Sequence, residues 1–431
     1  MVFQVNRLTN RLRASHFLKS AATLMSATLI AQAISFLVSP ITTRLFSADA
    51  YGIYTLVLAA VGILSPICTF RYDPMIILVA DEGEAESLTK LSLLITLALS
   101  VCLGFGVFIY YAVHGRPSGP LLALASGIIF LVSSVYIVFL AFSNRHAHYR
   151  RMGIANVGST VLQSLTTIGL GLAHAGGFGL LLAYFIGMLS WTFGLATSFW
   201  RQLSSILHRP MADLRCVARK YSRQPLLSAP SGLLSGLATN LPNYMLEGLF
   251  GLAVLGQYAL SLRTLSAPLQ IVSNACSRVF LEDAAKEFQA SHSFSQSVRR
   301  TLLLVTPFAV AMTVALVCWA PPVFSWLFGA SWEPAGQYAR ILAPSYALRL
   351  IATTICQGLY LIQKQRYELI VQILLVVSVV VPYFTAEWGN LGVSGFLLLF
   401  SGLSSAVYLF WILLVVVHSR GVQPQPSTPT P

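Results

Sequence analysis

The sequence has few charged residues. Of its 431 residues, only 10% are Asp, Glu, Lys or Arg, whereas 56% are hydrophobic and the mean hydropathy is +0.73. A typical soluble domain has roughly 25% charged residues, so this composition excludes a water-soluble enzyme. The apolar runs are continuous over ~20 residues rather than alternating, which also excludes an outer-membrane barrel. We therefore expect an all-α polytopic membrane protein.

Motifs for covalent and metal chemistry are also lacking. The six cysteines form no CxxC pair and mostly lie in apolar segments, where they are expected to pack as small hydrophobic side chains. There is no GxxxxGK[ST] loop for nucleotide binding and no recognisable Ser, His and Asp constellation. His146 and His148 lie beside basic residues, which is typical of an interfacial cluster rather than a metal site. We expect a protein that is not an enzyme and has no catalytic residue, cofactor or metal.

The apolar runs are long enough to cross the membrane as helices. Each could span ~30 Å of hydrocarbon, because a helix rises ~1.5 Å per residue. The seventh run contains Pro230 and Pro242, which are expected to break its helix. The twelve predicted spans are about 20–46, 51–79, 88–112, 120–142, 153–173, 178–200, 226–248, 250–274, 299–321, 337–362, 367–386 and 391–417.

The basic residues predict the orientation. Of the 27 Lys and Arg residues, 21 lie in segments on the side of the N-terminus, and only Arg44 and Arg116 lie in segments on the opposite side. Because short cytoplasmic loops are enriched in Lys and Arg, both termini are predicted to be cytoplasmic. The net charge of +13 follows from these loops, so we do not expect nucleic-acid binding.

Two halves of the sequence are related. Residues 45–58 align with residues 249–262 at a constant offset of 204, with six identities that include Tyr54 and Tyr258. Both windows enter the second span of a six-span half from the same side, which predicts two parallel-related lobes. We expect an N-lobe at 1–213, a C-lobe at 214–420 and a disordered Pro-rich cytoplasmic tail at 421–431. The basic linker between the lobes is predicted to include a short surface helix.

Charged residues inside the predicted spans are the candidate functional residues, because each costs at least ~2.5–3.5 kcal/mol at a helix centre. Arg71 and Asp73 lie late in the second span, next to Pro74. They could line a cavity or form a local ion pair at a helix end. Arg263 lies near the middle of the eighth span, where a cavity position is favoured.

Other intramembrane charges are placed less centrally. Arg340 and Arg349 share the tenth span on opposite helix faces, and the deeper Arg349 is the better candidate for a cavity. Arg44 and Glu247 end the first and seventh spans and could simply be interfacial. Because arginine outnumbers the acids in the spans and binds phosphate bidentately, the interior is predicted to accept an anion.

One segment resembles a known family. It contains TRLFS at the end of the first span, then YGIY, then RYDP, an apolar stretch and the acidic loop DEGEAE. Over about residues 40–90 it is similar to the N-terminal region of bacterial polysaccharide-biosynthesis and O-antigen flippases. These belong to the multidrug/oligosaccharidyl-lipid/polysaccharide (MOP) exporter superfamily, which also contains the multidrug (MATE) exporters.

The resemblance implies about twelve transmembrane helices in two lobes of a MOP/MATE-like fold in the bacterial inner membrane. It implies movement of an undecaprenyl-diphosphate-linked oligosaccharide, such as an O-antigen, capsule or exopolysaccharide repeat unit, by alternating access around a cationic cavity. The roles that follow are substrate binding by Arg44, Arg71, Arg263 and Arg349, ion coupling by Asp73 and Glu247, and hinges at Pro74, Pro230 and Pro242.

Two alternatives remain open at this point. The first is a drug/cation antiporter of the same fold, in which intramembrane acids would be essential. The second is a membrane glycan transferase or polymerase, which would depend on a loop carboxylate such as Glu333 or Glu387. The expected partners are the isoprenoid-diphosphate-linked glycan and membrane lipids, and polysaccharide polymerase or chain-length machinery is a further candidate.

Overall fold

The computed structural model describes residues 2–113, 119–362 and 366–420, with side chains in these ranges except at 2–22, 223–224, 227 and 366. The described residues form helices, turns and bends without a β-strand. The predicted all-α class is therefore confirmed. The predicted disordered tail, 421–431, lies outside the described residues.

The chain divides into two compact units, residues 1–240 (unit 1) and 241–431 (unit 2). The division falls inside a helix rather than at the predicted boundary between residues 213 and 214, so the lobe boundary stays a prediction. The helices of unit 1 are α1 (Val2–Leu45), α2 (Ala48–Leu64), α3 (Asp73–Leu78), α4 (Glu82–Val113), α5 (Gly119–Arg145), α6 (Tyr149–Leu172), α7 (Gly176–Ala196), α8 (Trp200–His208), α9 (Met211–Lys220) and the first part of α10 (Arg223–Phe250). A 3₁₀ turn, Ser65–Ile67, extends α2.

Unit 2 continues from α10. Its further helices are α11 (Leu252–Ser291), α12 (Ser295–Phe328), α13 (Glu333–Ile355), α14 (Gly358–Leu361), α15 (Arg366–Gly389) and α16 (Val393–Ser419), with a 3₁₀ turn at Ala330–Trp332. Helices α2 and α11 begin at Ala48 and Leu252, which are also 204 residues apart. The offset of the sequence repeat is therefore reproduced in the positions of these helix starts.

Each predicted span overlaps one of twelve helices, although the helices of the second and tenth spans end before residues 79 and 362. Eight of the twelve are long and apolar enough to cross a membrane by length and composition alone: α1, α2, α4, α5, α7, α12, α15 and α16. The other four are α6, α10, α11 and α13, and three of these carry Glu247, Arg263 or Arg349. A helix that lines a polar interior does not need to be apolar all round, so the less apolar spans are where functional charges are expected.

Two predictions about helix continuity are wrong. The second span was expected to run through residues 51–79, but the helix ends after Ile67 and the chain turns before α3 begins at Asp73. The seventh span was expected to be broken by Pro230 and Pro242, but α10 is continuous from residue 223 to 250. Proline is tolerated within membrane helices because neighbouring groups can satisfy the carbonyls that it frees.

The basic linker contains two short helices, α8 and α9, where one surface helix was predicted. They pack on unit 1 through a core that includes Ile76, Leu88, Phe142, Ile206 and Val217. This core joins α3, α4, α5, α8 and α9, so the chain after the second span is held firmly. Unit 2 has its own core around Phe280, Phe294, Ile355 and Val415.

Candidate functional site

The RYDP segment forms a tight turn with an uncommon backbone. Phe70 and Arg71 have φ angles of 48° and 63°, in the left-handed region that non-glycine residues seldom occupy. Each such residue costs roughly 1–2 kcal/mol, so the surrounding structure must hold the turn in place. Pro74 lies in the first turn of α3. Backbone N–H groups in the first turn have no partner within the helix, so a proline there costs no helix hydrogen bond. Pro74 therefore starts a helix rather than interrupting one.

Arg71 and Asp73 do not pair with each other. The Asp73 carboxylate accepts a hydrogen bond of 2.5 Å from the Thr69 hydroxyl, and no ion pair among the described side chains joins it to Arg71. The Arg71 Nε atom is buried and has no hydrogen-bond partner. The local ion pair considered from the sequence is thus absent, and the buried Nε donor of Arg71 is left without an acceptor.

Arg71 lies where the first part of α10 approaches α2. A Cβ atom added at Gly232 of α10 would come within 3.5 Å of the Arg71 Nε. Further along the same contact, a Cβ at Gly236 would lie 2.3 Å from the Ile63 carbonyl oxygen, and one at Gly62 would lie 2.6 Å from the Asn240 amide oxygen. The two helices can approach this closely only because glycine occupies these positions.

The acidic loop after RYDP is an ion-pair cluster, a feature that the sequence analysis did not predict. We call Glu82, Glu84 and Glu86 at the start of α4, together with Arg145, Arg209 and Lys220, the α4 cluster. Arg145 pairs with Glu82 at 3.0 Å, Arg209 with Glu86 at 2.7 Å, and Lys220 with Glu84. The cluster ties the α8–α9 linker and the end of α5 to α4.

Hydrogen bonds extend the α4 cluster. Both Nε and Nη2 of Arg209 bond to the same oxygen of Glu86, which also accepts from the Ser205 hydroxyl at 2.8 Å. Arg145 donates to the carbonyls of Ile76 and Val79 at the end of α3. Acidic residues two positions apart and a basic linker were visible in the sequence, but nothing local indicated which acid would pair with which base.

The strongest candidate anion site in unit 2 is Arg349 in α13. Its guanidinium carbon lies 5.4 Å from the centre of the Tyr346 ring, within the range of a cation–π contact. The hydroxyls of Tyr258 in α11 and Tyr408 in α16 are close enough to interact with it electrostatically. Arg349 takes part in none of the ion pairs among the described side chains. It is therefore a half-buried cation whose neighbours are hydroxyls and an aromatic ring rather than carboxylates.

Sequence spacing could have indicated this environment. Tyr346 and Arg349 are three residues apart, which brings them to one face of a helix. Tyr258 belongs to the repeated window, whose counterpart Tyr54 packs edge-on against Tyr184 in unit 1 at a centroid distance of 6.1 Å. Neither signal pointed to Tyr408, which comes from a helix about sixty residues further along the chain.

The remaining candidates are spread over both units. Arg44 is exposed in the last turn of α1, and Arg263 is exposed in the first third of α11. Glu247 is only 3% exposed, so it is not the solvent-facing helix-end carboxylate that the sequence allowed. Arg340 is exposed whereas Arg349 is half-buried, in keeping with their predicted opposite faces. The structure does not bring Arg263 into a described contact with Arg349, and a shared cavity stays a prediction.

In the described part of the chain, no group of three or more His, Cys, Asp or Glu side chains is arranged to hold a metal ion. The candidate residues described above are instead arginines, two of which lie beside hydroxyl or backbone groups. These groups can bind and orient an anion by charge-assisted hydrogen bonds.

Comparison with known proteins gives a family and a fold. A family profile described as "Polysaccharide biosynthesis protein" matches residues 41–337. No curated protein sequence matches the chain significantly. Solved structures do match, at identities below 25%, which is evidence about the fold alone.

Three of these structures cover nearly the whole chain. The lipid II flippase MurJ in an inward closed conformation is 11% identical, with a TM-score of 0.68, covering 91% of this chain and 87% of that one. An outward-facing multidrug-resistance MATE transporter of the MOP superfamily is 15% identical, with a TM-score of 0.59 and coverages of 93% and 95%. A MOP superfamily transporter from Pyrococcus furiosus is 14% identical, with a TM-score of 0.57 and the same coverages.

Proposed function

Because the chain belongs to the family of polysaccharide biosynthesis proteins and has the MOP fold, we propose that it is a flippase for an isoprenoid-linked glycan. Its proposed substrate is an undecaprenyl-diphosphate-linked oligosaccharide, such as an O-antigen, capsule or exopolysaccharide repeat unit. Translocation would run from the cytoplasmic to the periplasmic leaflet of a bacterial inner membrane, with both termini in the cytoplasm. Of the solved structures compared, the lipid II flippase supports a lipid-linked glycan as the class of cargo.

The observation that carries this proposal is the setting of Arg349. A guanidinium in an apolar interior stays protonated, and without a carboxylate neighbour its charge must be balanced by something else. A diphosphate supplies that charge and matches the planar donor geometry of arginine. The tyrosine hydroxyls beside Arg349 add donors and acceptors suited to phosphate or sugar oxygens.

The other candidate residues have distinct proposed roles. Arg71, with its unpartnered Nε, and the exposed Arg44 and Arg263 are further proposed contacts for the diphosphate or sugar. An arginine midway along a span would be costly against lipid, so the exposed face of Arg263 is proposed to meet a polar cavity.

Coupling and hinge motion are also part of the proposal. The buried Glu247 and the half-buried Asp73 are proposed to couple transport to a proton or cation. Pro242 and Pro230 lie inside the continuous α10, where a missing helix hydrogen bond would ease bending between lobes. Alternating access would come from rocking of the two six-span lobes. Polysaccharide polymerase or chain-length machinery would take up the product.

The proposal is tested by the sidedness of the lipid-linked oligosaccharide in cells with and without this protein. An impermeant glycan label, applied to the periplasmic face of spheroplasts, reports how much substrate has crossed. We expect the glycan to be made in both strains but labelled only where the protein is present. Equal labelling in both strains would show that translocation occurs elsewhere and would reopen the drug/cation antiporter and glycan-enzyme alternatives.

A pair of arginine variants links the assay to the site. Arg263→Ala should abolish glycan display while the protein is inserted and accumulates normally, because the variant removes only an intramembrane cation. Arg340→Ala, which removes an exposed arginine in the first half of α13, is the matched control and should display glycan normally. Normal display in Arg263→Ala would remove Arg263 from the mechanism.

A further inference from the structure

A second cationic cavity lies within unit 2, at the end of the unit where α12 begins and α16 ends. Its volume is about 770 Å³, within the range of ~300–1,000 Å³ that is usual for small-molecule sites. Arg299 and Arg420 line it, together with Ser295 and Gln296 from the first turn of α12. No carboxylate is among the lining side chains. This cavity is separate from the residues proposed to move the glycan.

The walls of the cavity are apolar below its charged rim. Leu302, Leu303 and Pro307 line it from α12, and Val416 lines it from α16. Leu303 is one helical turn beyond Arg299, which places it roughly 6 Å further along the helix axis. A ligand in this cavity would therefore meet two guanidinium groups at one end and hydrocarbon at the other.

Hydrogen bonds hold the backbone in place at the rim of the cavity, where Arg299 and Arg420 lie. The Ser419 carbonyl at the end of α16 accepts hydrogen bonds from the Phe294 backbone N–H at 3.1 Å and from the Ser293 hydroxyl at 2.9 Å. On the α12 side, the Glu287 carboxylate accepts from the backbone N–H groups of Gln296 and Ser297. The bonds to Ser419 fix the start of α12 against the end of α16, and the bonds to Glu287 fix it against α11. The backbones that carry the two arginines are thus held together.

The two arginines also lie at the ends of two candidate membrane spans, where a side chain would meet lipid headgroups. Arg299 is near the start of one candidate span, Ser295–Phe328, and Arg420 directly follows another, Val393–Ser419. Both side chains are exposed, and neither takes part in the ion pairs among the described residues. Basic pockets between membrane helices on the cytoplasmic side bind anionic headgroups.

We propose that the α12–α16 cavity binds an anionic membrane phospholipid, with its phosphate between Arg299 and Arg420 and an acyl chain along Leu302, Leu303 and Val416. The charge complementarity of the rim selects the anionic headgroup, and the apolar walls favour a lipid over free phosphate. The predicted orientation assigns the bound lipid to the cytoplasmic leaflet. The inference does not depend on what the protein transports.

Native mass spectrometry of the full chain, titrated with phosphatidylglycerol or phosphatidylcholine, tests this proposal. We expect phosphatidylglycerol to bind roughly tenfold more tightly than phosphatidylcholine, as two interfacial arginines would provide. The variant R299Q/R420Q should lose this preference, whereas R299K/R420K should keep it. The control R215Q/R300Q has the same net charge and changes two exposed arginines outside the cavity, so it should behave like the unaltered protein.

Three results would overturn the proposal. Equal binding of the two phospholipids by the unaltered protein would show that the cavity does not select charge. An undiminished preference in R299Q/R420Q would place the lipid elsewhere on the protein. Displacement of phosphatidylglycerol by equimolar isoprenyl diphosphate, lost in R299Q/R420Q, would assign the cavity to the glycan carrier instead.

Discussion

The α4 cluster in unit 1 and Arg349 in unit 2 show two opposite environments for a basic side chain. In the cluster, Arg145, Arg209 and Lys220 each have a glutamate partner within ion-pair distance. Arg349 has a tyrosine ring and two further tyrosine hydroxyls around it and takes part in no described ion pair. The first three cations are neutralised by the protein itself, whereas Arg349 has no carboxylate partner among the described side chains.

We propose that this difference separates basic residues that stabilise the fold from those that bind the transported substrate. Paired charges connect the α8–α9 linker to α4, and their loss should lower stability. A cation without a carboxylate partner contributes little to folding, so its loss should change ligand binding while the protein stays folded. Each prediction below tests whether this distinction holds.

The largest effect is expected for Arg349→Gln. Removing the guanidinium should reduce translocation at least tenfold, because one charge-assisted pair with phosphate is worth roughly 1.5–3 kcal/mol. Labelled glycan in spheroplasts measures translocation, and the thermal midpoint of the purified protein measures stability. We expect the midpoint to be unchanged.

The matched variant is Arg349→Lys, which keeps the charge but loses the planar donor geometry. It should translocate at an intermediate rate, since lysine binds phosphate only as a point charge. Full activity in Arg349→Gln would contradict the ligand role. A lowered thermal midpoint with normal activity would show that Arg349 stabilises the fold, as the basic residues of the α4 cluster do.

The next effect is expected for Gly236→Ala in unit 1. The added Cβ would lie 2.3 Å from the Ile63 carbonyl oxygen, so the two helices beside Arg71 must separate. Overpacking of this kind costs roughly 1–3 kcal/mol, and thermal unfolding in detergent measures it. In the same helix, Gly248→Ala is the control, since no atom lies within 4 Å of its added Cβ. Equal midpoints for the two variants would show that the close approach is not required.

A smaller loss of stability is expected for Arg209→Gln. The Glu86 side chain is 7% exposed and is contacted by Nε and Nη2 of Arg209 and by the Ser205 hydroxyl. The variant removes both arginine contacts and leaves only the hydroxyl. An under-satisfied buried group costs roughly 1–3 kcal/mol, and the partial exposure of Arg209 places the effect at the lower end. The double variant Glu86→Gln/Arg209→Gln should recover part of the loss. Translocation per folded molecule should not change, and a selective loss of transport would move this pair into the mechanism.

The smallest effect is expected for Lys220→Gln. The hydrogen bond to Glu84 raises the pKa of Lys220, so the pair is fully formed below the ordinary lysine value and is lost only as the pH rises past the raised one. The pair is solvent-exposed and screened, so the thermal midpoint should hardly move. The difference between Lys220→Gln and the unaltered protein should also be constant between roughly pH 6 and pH 9. A large or pH-dependent difference in that range would contradict the assignment.

Much of the fold follows from the sequence because membrane helices are set by local composition. All twelve predicted spans overlap helices, although those of the second and tenth spans end early, and the repeat offset recurs in the starts of α2 and α11. The errors lie where local signals mislead. Pro230 and Pro242 were expected to interrupt α10, but neighbouring groups can satisfy the carbonyls that proline frees, and the helix is continuous. The left-handed turn at Phe70 and Arg71 contains no glycine, so nothing in the sequence signals it.

The candidate site was less predictable than the fold. Intramembrane charge identified Arg349, but its neighbours Tyr258 and Tyr408 come from other helices, and their approach depends on tertiary packing. The pairing in the α4 cluster likewise joins residues more than sixty positions apart. Sequence patterns show which residues are unusual, whereas partners distant in the chain decide whether a charge is neutralised or left available.

The central claim is that Arg349 offers its charge to a diphosphate, and direct binding tests it most simply. Titration of the purified protein with a short-chain isoprenyl diphosphate, and with the matching uncharged prenol, gives the contribution of the diphosphate. We predict that the diphosphate binds at least tenfold more tightly than the prenol, and that Arg349→Gln loses most of this difference while Arg340→Gln keeps it. Equal affinities for the two ligands, or an unchanged difference in Arg349→Gln, would contradict the claim.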